Sequence, residues 1–109
     1  MDAAIQKKLD QFVNDNRVML FMKGDKSEPM CGFSAQVIHI LNSYDIDFQT
    51  ENVLADWDVR EGIKEYSSWP TIPQLYVDGQ FIGGCDIVME LHRKGELDQI
   101  LKPADNSDN

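Results

Sequence analysis

The chain has few cysteines, few basic residues and no long apolar run, and each scarcity removes a class of protein. Only two cysteines, Cys31 and Cys85, occur in 109 residues. They stand far apart in a chain that needs no staple, which points to thiol chemistry in a reducing compartment rather than to a structural disulfide. The second thiol of a Cys-x-x-Cys pair is missing, because Ser34 stands three residues after Cys31. Lys and Arg number 10 against 19 Asp and Glu, a formal charge of −9 that repels phosphate backbones and anionic membrane surfaces. No nucleic acid and no membrane partner are therefore expected. The opening MDAAIQKKLDQF lacks the apolar centre of a signal peptide, and no stretch approaches bilayer-spanning length. The expected location is cytoplasmic, or the mitochondrial matrix if a transit peptide has been removed. His39 and His92 lack metal-ligand spacing, and no paired-carboxylate, Ser-His-Asp or phosphate-loop pattern appears. The acidic residues Asp45, Asp47, Glu51, Asp56 and Asp58 read as solvated charge.

What remains is a single domain over residues 1–102, since 42% hydrophobic residues suffice for a core at this length. Residues 103–109 read as a disordered acidic tail. Ile5, Leu9, Phe12 and Val13 repeat on one helical face. Val18–Met22 is a continuous apolar run suited to a central parallel strand covered on both faces. After the polar loop 23–30, Phe33, Val37, Ile40 and Leu41 predict a helix over about 32–43. A strand is expected over 47–52, then a helix opening at Asp58 with Val59, Ile63 and Tyr66 inward. Trp69-Pro70-Thr71-Ile72-Pro73 ends it. Asp78-Gly79 between two apolar segments is a strong hairpin signal. Gly83-Gly84-Cys85 reads as a flexible turn, Asp86 as a cap, and Ile87, Val88 and Leu91 as the inner face of the next helix. A short helix holds Leu97, Ile100 and Leu101. The order α-β-α-β-α-β-β-α-α predicts an α/β chain of thioredoxin-like architecture: a four-stranded mixed sheet with helices on both faces.

Cys31 is the residue with chemistry to explain. It stands at a predicted helix start, where unpaired N–H groups favour the thiolate, the form that attacks disulfides and binds metal. Gly32 leaves room for a close approach. Phe33 reads equally as a core anchor or as a shield beside the thiol. Ser34 does not react, so a mixed disulfide on Cys31 must be resolved by another molecule. Lys23 follows the buried strand directly and can lower the thiol pKa or hold a carboxylate, and Arg60 offers a planar fork for a carboxylate; a solvated surface cation is the plainer reading of each. Gly84, Cys85 and Asp86 stand at another helix start, suited to a carboxylate and an ammonium. A helix cap and a buried small residue are the plainer readings of Asp86 and Cys85.

The segments MKGDKSEPMCGFS and WPTIPQLYVDGQFIGGCDI, with this element order, resemble the monothiol glutaredoxins of the CGFS type over about residues 5–102. The resemblance implies a glutaredoxin fold with Pro73 in a cis bond. It also implies glutathione as a ligand: its glycyl carboxylate on Lys23 and Arg60, its cysteinyl backbone along Thr71, Ile72 and Pro73, and its γ-glutamyl end at Gly84, Cys85 and Asp86. A 2Fe-2S cluster needs four thiolates. One Cys31 from each of two protomers and one glutathione on each would supply them, so the implied cluster lies at a homodimer interface, with Cys31 as metal ligand. The implied role is transfer of that cluster to apo iron-sulfur acceptor proteins, with a BolA-like protein as a further partner. The alternative is a glutathione-dependent oxidoreductase, at most a weak enzyme, with Cys31 as its catalytic nucleophile.

Overall fold

The computed structural model describes residues 1–102; the tail at 103–109 lies outside the described residues. At its centre is β1 (Val18–Met22), every residue of which is buried. An apolar strand with no polar face must be covered twice, and the alternation of its side chains divides the core accordingly. Val18, Leu20 and Met22 join one apolar cluster, while Met19 and Phe21 join the other.

The first cluster is closed by α2 (Gly32–Asn42), α4 (Cys85–Arg93) and α5 (Leu97–Leu101), through Val37, Ile38, Leu41, Val88, Leu97 and Leu101. The second is closed by α1 (Ala3–Asp15) and α3 (Trp57–Ser67), through Leu9, Val13, Val59 and Ile63. Phe21 meets Phe12 and Tyr76 edge to face, with ring centroids 5.8 and 5.6 Å apart. β2 (Gln49–Asn52) lies parallel to β1, and β3 (Gln74–Val77) antiparallel to it. β4 (Gln80–Gly83) completes the sheet in the order β2-β1-β3-β4. Asp78 and Gly79 both carry positive φ, 54° and 78°, the backbone that a two-residue hairpin of this hand requires. The expected mixed sheet with helices on both faces is thus the observed one.

Several local expectations need correction. Asp56 is not free charge: its carboxylate accepts from the Asp58 and Val59 N–H groups and receives the Lys8 ammonium at 2.8 Å. α3 therefore opens one residue before the expected Asp58. Glu51 is only partly exposed, and burial pushes its carboxyl up. Gly83-Gly84-Cys85 is no flexible turn, because β4 passes into α4 with Gly84 as the sole intervening residue. Ile87 is not part of the inner face of α4; it is 37% exposed.

Candidate functional site

The end of β1 and the start of α2 are joined by hydrogen bonds, not only by the loop between them. The Lys23 N–H donates to Ser34 Oγ at 3.1 Å, the Gly24 N–H donates to Asn52 Oδ1 at 2.9 Å, and the Met30 N–H donates to the Lys23 carbonyl at 2.9 Å. Gly24 has φ 89°, and a β-carbon there would stand 2.4 Å from the Met30 nitrogen, so the loop closes only on glycine. Within it, the Asp25 carboxylate accepts from the Ser27 and Glu28 N–H groups. The Lys26 ammonium stands 4.1 Å from the Phe48 ring centroid and donates to the Phe48 carbonyl. This polar loop is an ordered platform that delivers Cys31 as the N-cap of α2.

Partial burial works against ionisation of Cys31. The N–H groups of Ser34 and Phe33, the Ser34 hydroxyl and the Lys23 ammonium outweigh it, and the thiol pKa lies below its ordinary value. A β-carbon on Gly32 would meet nothing within 4 Å, so the backbone next to Cys31 is open to a close approach. Phe33 is 61% exposed, which settles its orientation: it borders the thiol and anchors no core.

From Cys31 runs a groove of about 460 Å³. Cys31 and every residue expected to hold glutathione line it: Lys23 and Cys31 at the β1–α2 junction, Arg60 from α3, Thr71, Ile72 and Pro73 before β3, and Gly84, Cys85 and Asp86 at the start of α4; Gly32 and Ser34 do not. The Ile72–Pro73 bond is cis. Among the described residues, no backbone hydrogen bond uses the Ile72 N–H or carbonyl. Arg60 stacks near the Trp57 ring at 5.3 Å, and its buried Nε has no hydrogen-bond partner; the Glu61 carboxylate is 4.0 Å away, a long ion pair only. Asp86 does not cap α4. Its N-cap is Gly84, no side chain bonds that helix end, and Asp86 is exposed. Cys85 is a free thiol but a buried one, and its Sγ donates to Gln36 Oε1 at 3.3 Å. Burial, then the charges of Asp86 and Cys31, push its pKa up.

Besides Asn52, which holds the Gly24 N–H, two contributors were not singled out from the sequence. Gln74 is wholly buried, and its Nε2 donates to the Trp69 and Thr71 carbonyls at 3.1 Å each, tying the loop before Pro73 to β3. A glutamine opening an otherwise buried strand was the available signal, because a buried amide must find partners. Lys64 adds a third cation to the groove wall. Among the described residues, no group of three or more His, Cys, Asp or Glu side chains can hold a metal ion.

The family profile described as Glutaredoxin matches residues 18–82. An uncharacterised ycf64-like monothiol glutaredoxin of Synechocystis sp. is 54% identical over 104 residues, covering 95% of this chain and 97% of that protein. The mitochondrial glutaredoxin-related protein 5 of Danio rerio is 48% identical over 101 residues, covering 92% of this chain and 65% of its own. Among solved structures, reduced apo GrxS14 of poplar has a TM-score of 0.78 at 50% identity, over 87% of each chain. A buckwheat glutaredoxin–glutathione complex has a TM-score of 0.79 at 29% identity, over 90% of this chain and 87% of the other. Taken together with the single activated thiol at the head of the groove, these similarities make the chain a member of the glutaredoxin family, of its monothiol kind.

Proposed function

We propose that the protein is a glutathione-dependent carrier of a 2Fe-2S cluster, held between two protomers and passed to acceptor proteins. The observation that carries this reading is the contrast between the two sulfurs. Cys31 is partly exposed with a lowered pKa, whereas Cys85 is buried with a raised one. One chain therefore supplies one ready thiolate, and a cluster needs four. The groove wall carries groups suited to a tripeptide bearing two carboxylates and an ammonium: the Lys23 and Arg60 cations, the unpaired Ile72 backbone, and the uncapped α4 start with Asp86. The buckwheat relative is a glutathione complex. Each bound glutathione would add its thiolate beside Cys31, so two protomers and two glutathiones complete the ligand set. The cluster is cargo, half of its ligands are exchangeable, and a BolA-like protein would replace one protomer.

Anaerobic reconstitution with iron, sulfide and glutathione tests this reading. Visible cluster absorption that disappears in Cys31→Ser, and when glutathione is omitted, is expected. Equal cluster content without either one would sink it.

The lowered Cys31 pKa also favours a second activity. The thiolate would attack the glutathione sulfur of a mixed disulfide, releasing the substrate thiol and leaving a Cys31–glutathione disulfide. A second glutathione thiolate would attack that bond and depart as glutathione disulfide, returning Cys31. Turnover of a small glutathionylated substrate, first order in glutathione and absent in Cys31→Ser, is the expected result.

A further inference from the structure

We propose that Trp57 is a positioning residue: its indole face holds the Arg60 guanidinium in place at the groove, with its donors free for an incoming carboxylate. The inference rests on the reading that Arg60 receives a carboxylate of glutathione, and deepens it. Trp57 is the first residue of α3 and is 66% exposed, so core packing does not account for it. It does not line the groove, whereas Arg60 does. The Arg60 N–H donates to the Asp56 carbonyl at 3.0 Å, so the turn between the two residues is helical, and side chains three apart meet on one face. The guanidinium carbon lies over the Trp57 ring, 5.3 Å from its centroid and within cation–π range.

What holds a guanidinium decides whether it can still bind. A carboxylate partner would occupy its N–H donors and offset its charge, and an incoming anion would have to displace that partner first. An indole holds it through a π face and takes none of the donors. The nearest carboxylate fits this logic. Glu61 adjoins Arg60 in the chain, yet its Oε2 stands 3.2 Å from the Lys64 ammonium and 4.0 Å from Arg60 Nε. Lys64 is the closer partner, and Arg60 Nε is left buried with no hydrogen-bond partner. The Arg60 side chain is otherwise partly exposed, and a long side chain free to change rotamer loses entropy when a ligand orders it. Stacking on Trp57 removes part of that loss before the ligand arrives.

Two measurements on the full chain test the proposal. The first needs no ligand: nitrogen relaxation NMR of the Arg60 Nε–H bond in the parent, Trp57→Leu and Trp57→Phe. Order should fall in Trp57→Leu, which keeps apolar bulk without a π face, and persist in Trp57→Phe. Equal order in the parent and Trp57→Leu overturns the proposal. The second is an NMR titration with reduced glutathione in the same variants, with and without Arg60→Gln. Trp57→Leu should weaken binding by roughly two- to fivefold, the scale of one exposed cation–π contact, and Trp57→Phe should recover most of the loss. In the Arg60→Gln background Trp57→Leu should add nothing, because the group it positions is gone. An equal loss in both backgrounds, or none in either, overturns the proposal. A parent chain that binds no glutathione refutes the carrier reading instead, and the relaxation measurement then decides on Trp57 alone.

Discussion

Cys31 and Cys85 are the same residue type at the start of two helices that end in the same groove, yet the structure sends them in opposite directions. Cys31 is the N-cap of α2, partly exposed, with the Phe33 and Ser34 N–H groups and Lys23 acting on its sulfur. Cys85 is the first residue of α4, 8% exposed, bonded to Gln36 and flanked by Asp86. A helix N-terminus is thus not sufficient to make a thiolate. Its dipole contributes only a fraction of a charge, and desolvation or one nearby carboxylate cancels it. Side-chain capping also differs among the helices. α1 and α3 are capped by the carboxylates of Asp2 and Asp56, whereas α2 and α4 have no side-chain capping bond.

The broadest way to break the comparison is to alkylate the native chain at neutral pH. Cys31 should be modified on the order of a hundredfold faster than Cys85, and the difference should vanish in denaturant. Comparable native rates would refute it. Next in size, Arg60→Gln should weaken glutathione binding by roughly tenfold in calorimetry, since a charge-assisted contact to a carboxylate is lost. Unchanged affinity would remove Arg60 from the site.

A smaller effect is expected at the capped helices. Asp56→Ala should cost about 1 kcal/mol in denaturant unfolding. The Asp56 carboxyl is held below its ordinary value by the Lys8 hydrogen bond and by the Val59 N–H. Its contribution is therefore complete above the unfolded carboxylate range and lost as pH falls through the lowered folded value. Parent and variant should differ at pH 7 and converge in acid; a gap that persists in acid contradicts the assignment. Smallest of all, Asp86→Asn should lower the Cys85 pKa and raise its slow alkylation rate by about twofold, because one opposing charge disappears. No change would leave burial as the whole cause.

Much of the fold was legible because β1 is apolar throughout and Asp78-Gly79 specifies its turn. The site was legible for a different reason: Cys31, the Thr71–Pro73 loop and the Gly84–Asp86 helix start each carry a local backbone signature. Other features were not. Phe33 and Ile87 satisfy an apolar period yet border the groove, since periodicity marks a face without saying whether anything covers it. Asp56 was read as free charge because its partners are remote Lys8 and an N–H group three residues ahead.

By itself the sequence determined the order of helices and strands, the hairpin, the placement of one sulfur at a helix start and the absence of a second thiol beside it. These depend on residues near one another along the chain. Only the tertiary structure decided that Cys85 would be desolvated, that Arg60 Nε would stay unpaired, and that Ser34 and Asn52 would accept the first two N–H groups beyond β1. Burial and hydrogen-bond satisfaction are set by segments that meet only when the sheet and its two helical layers close around β1.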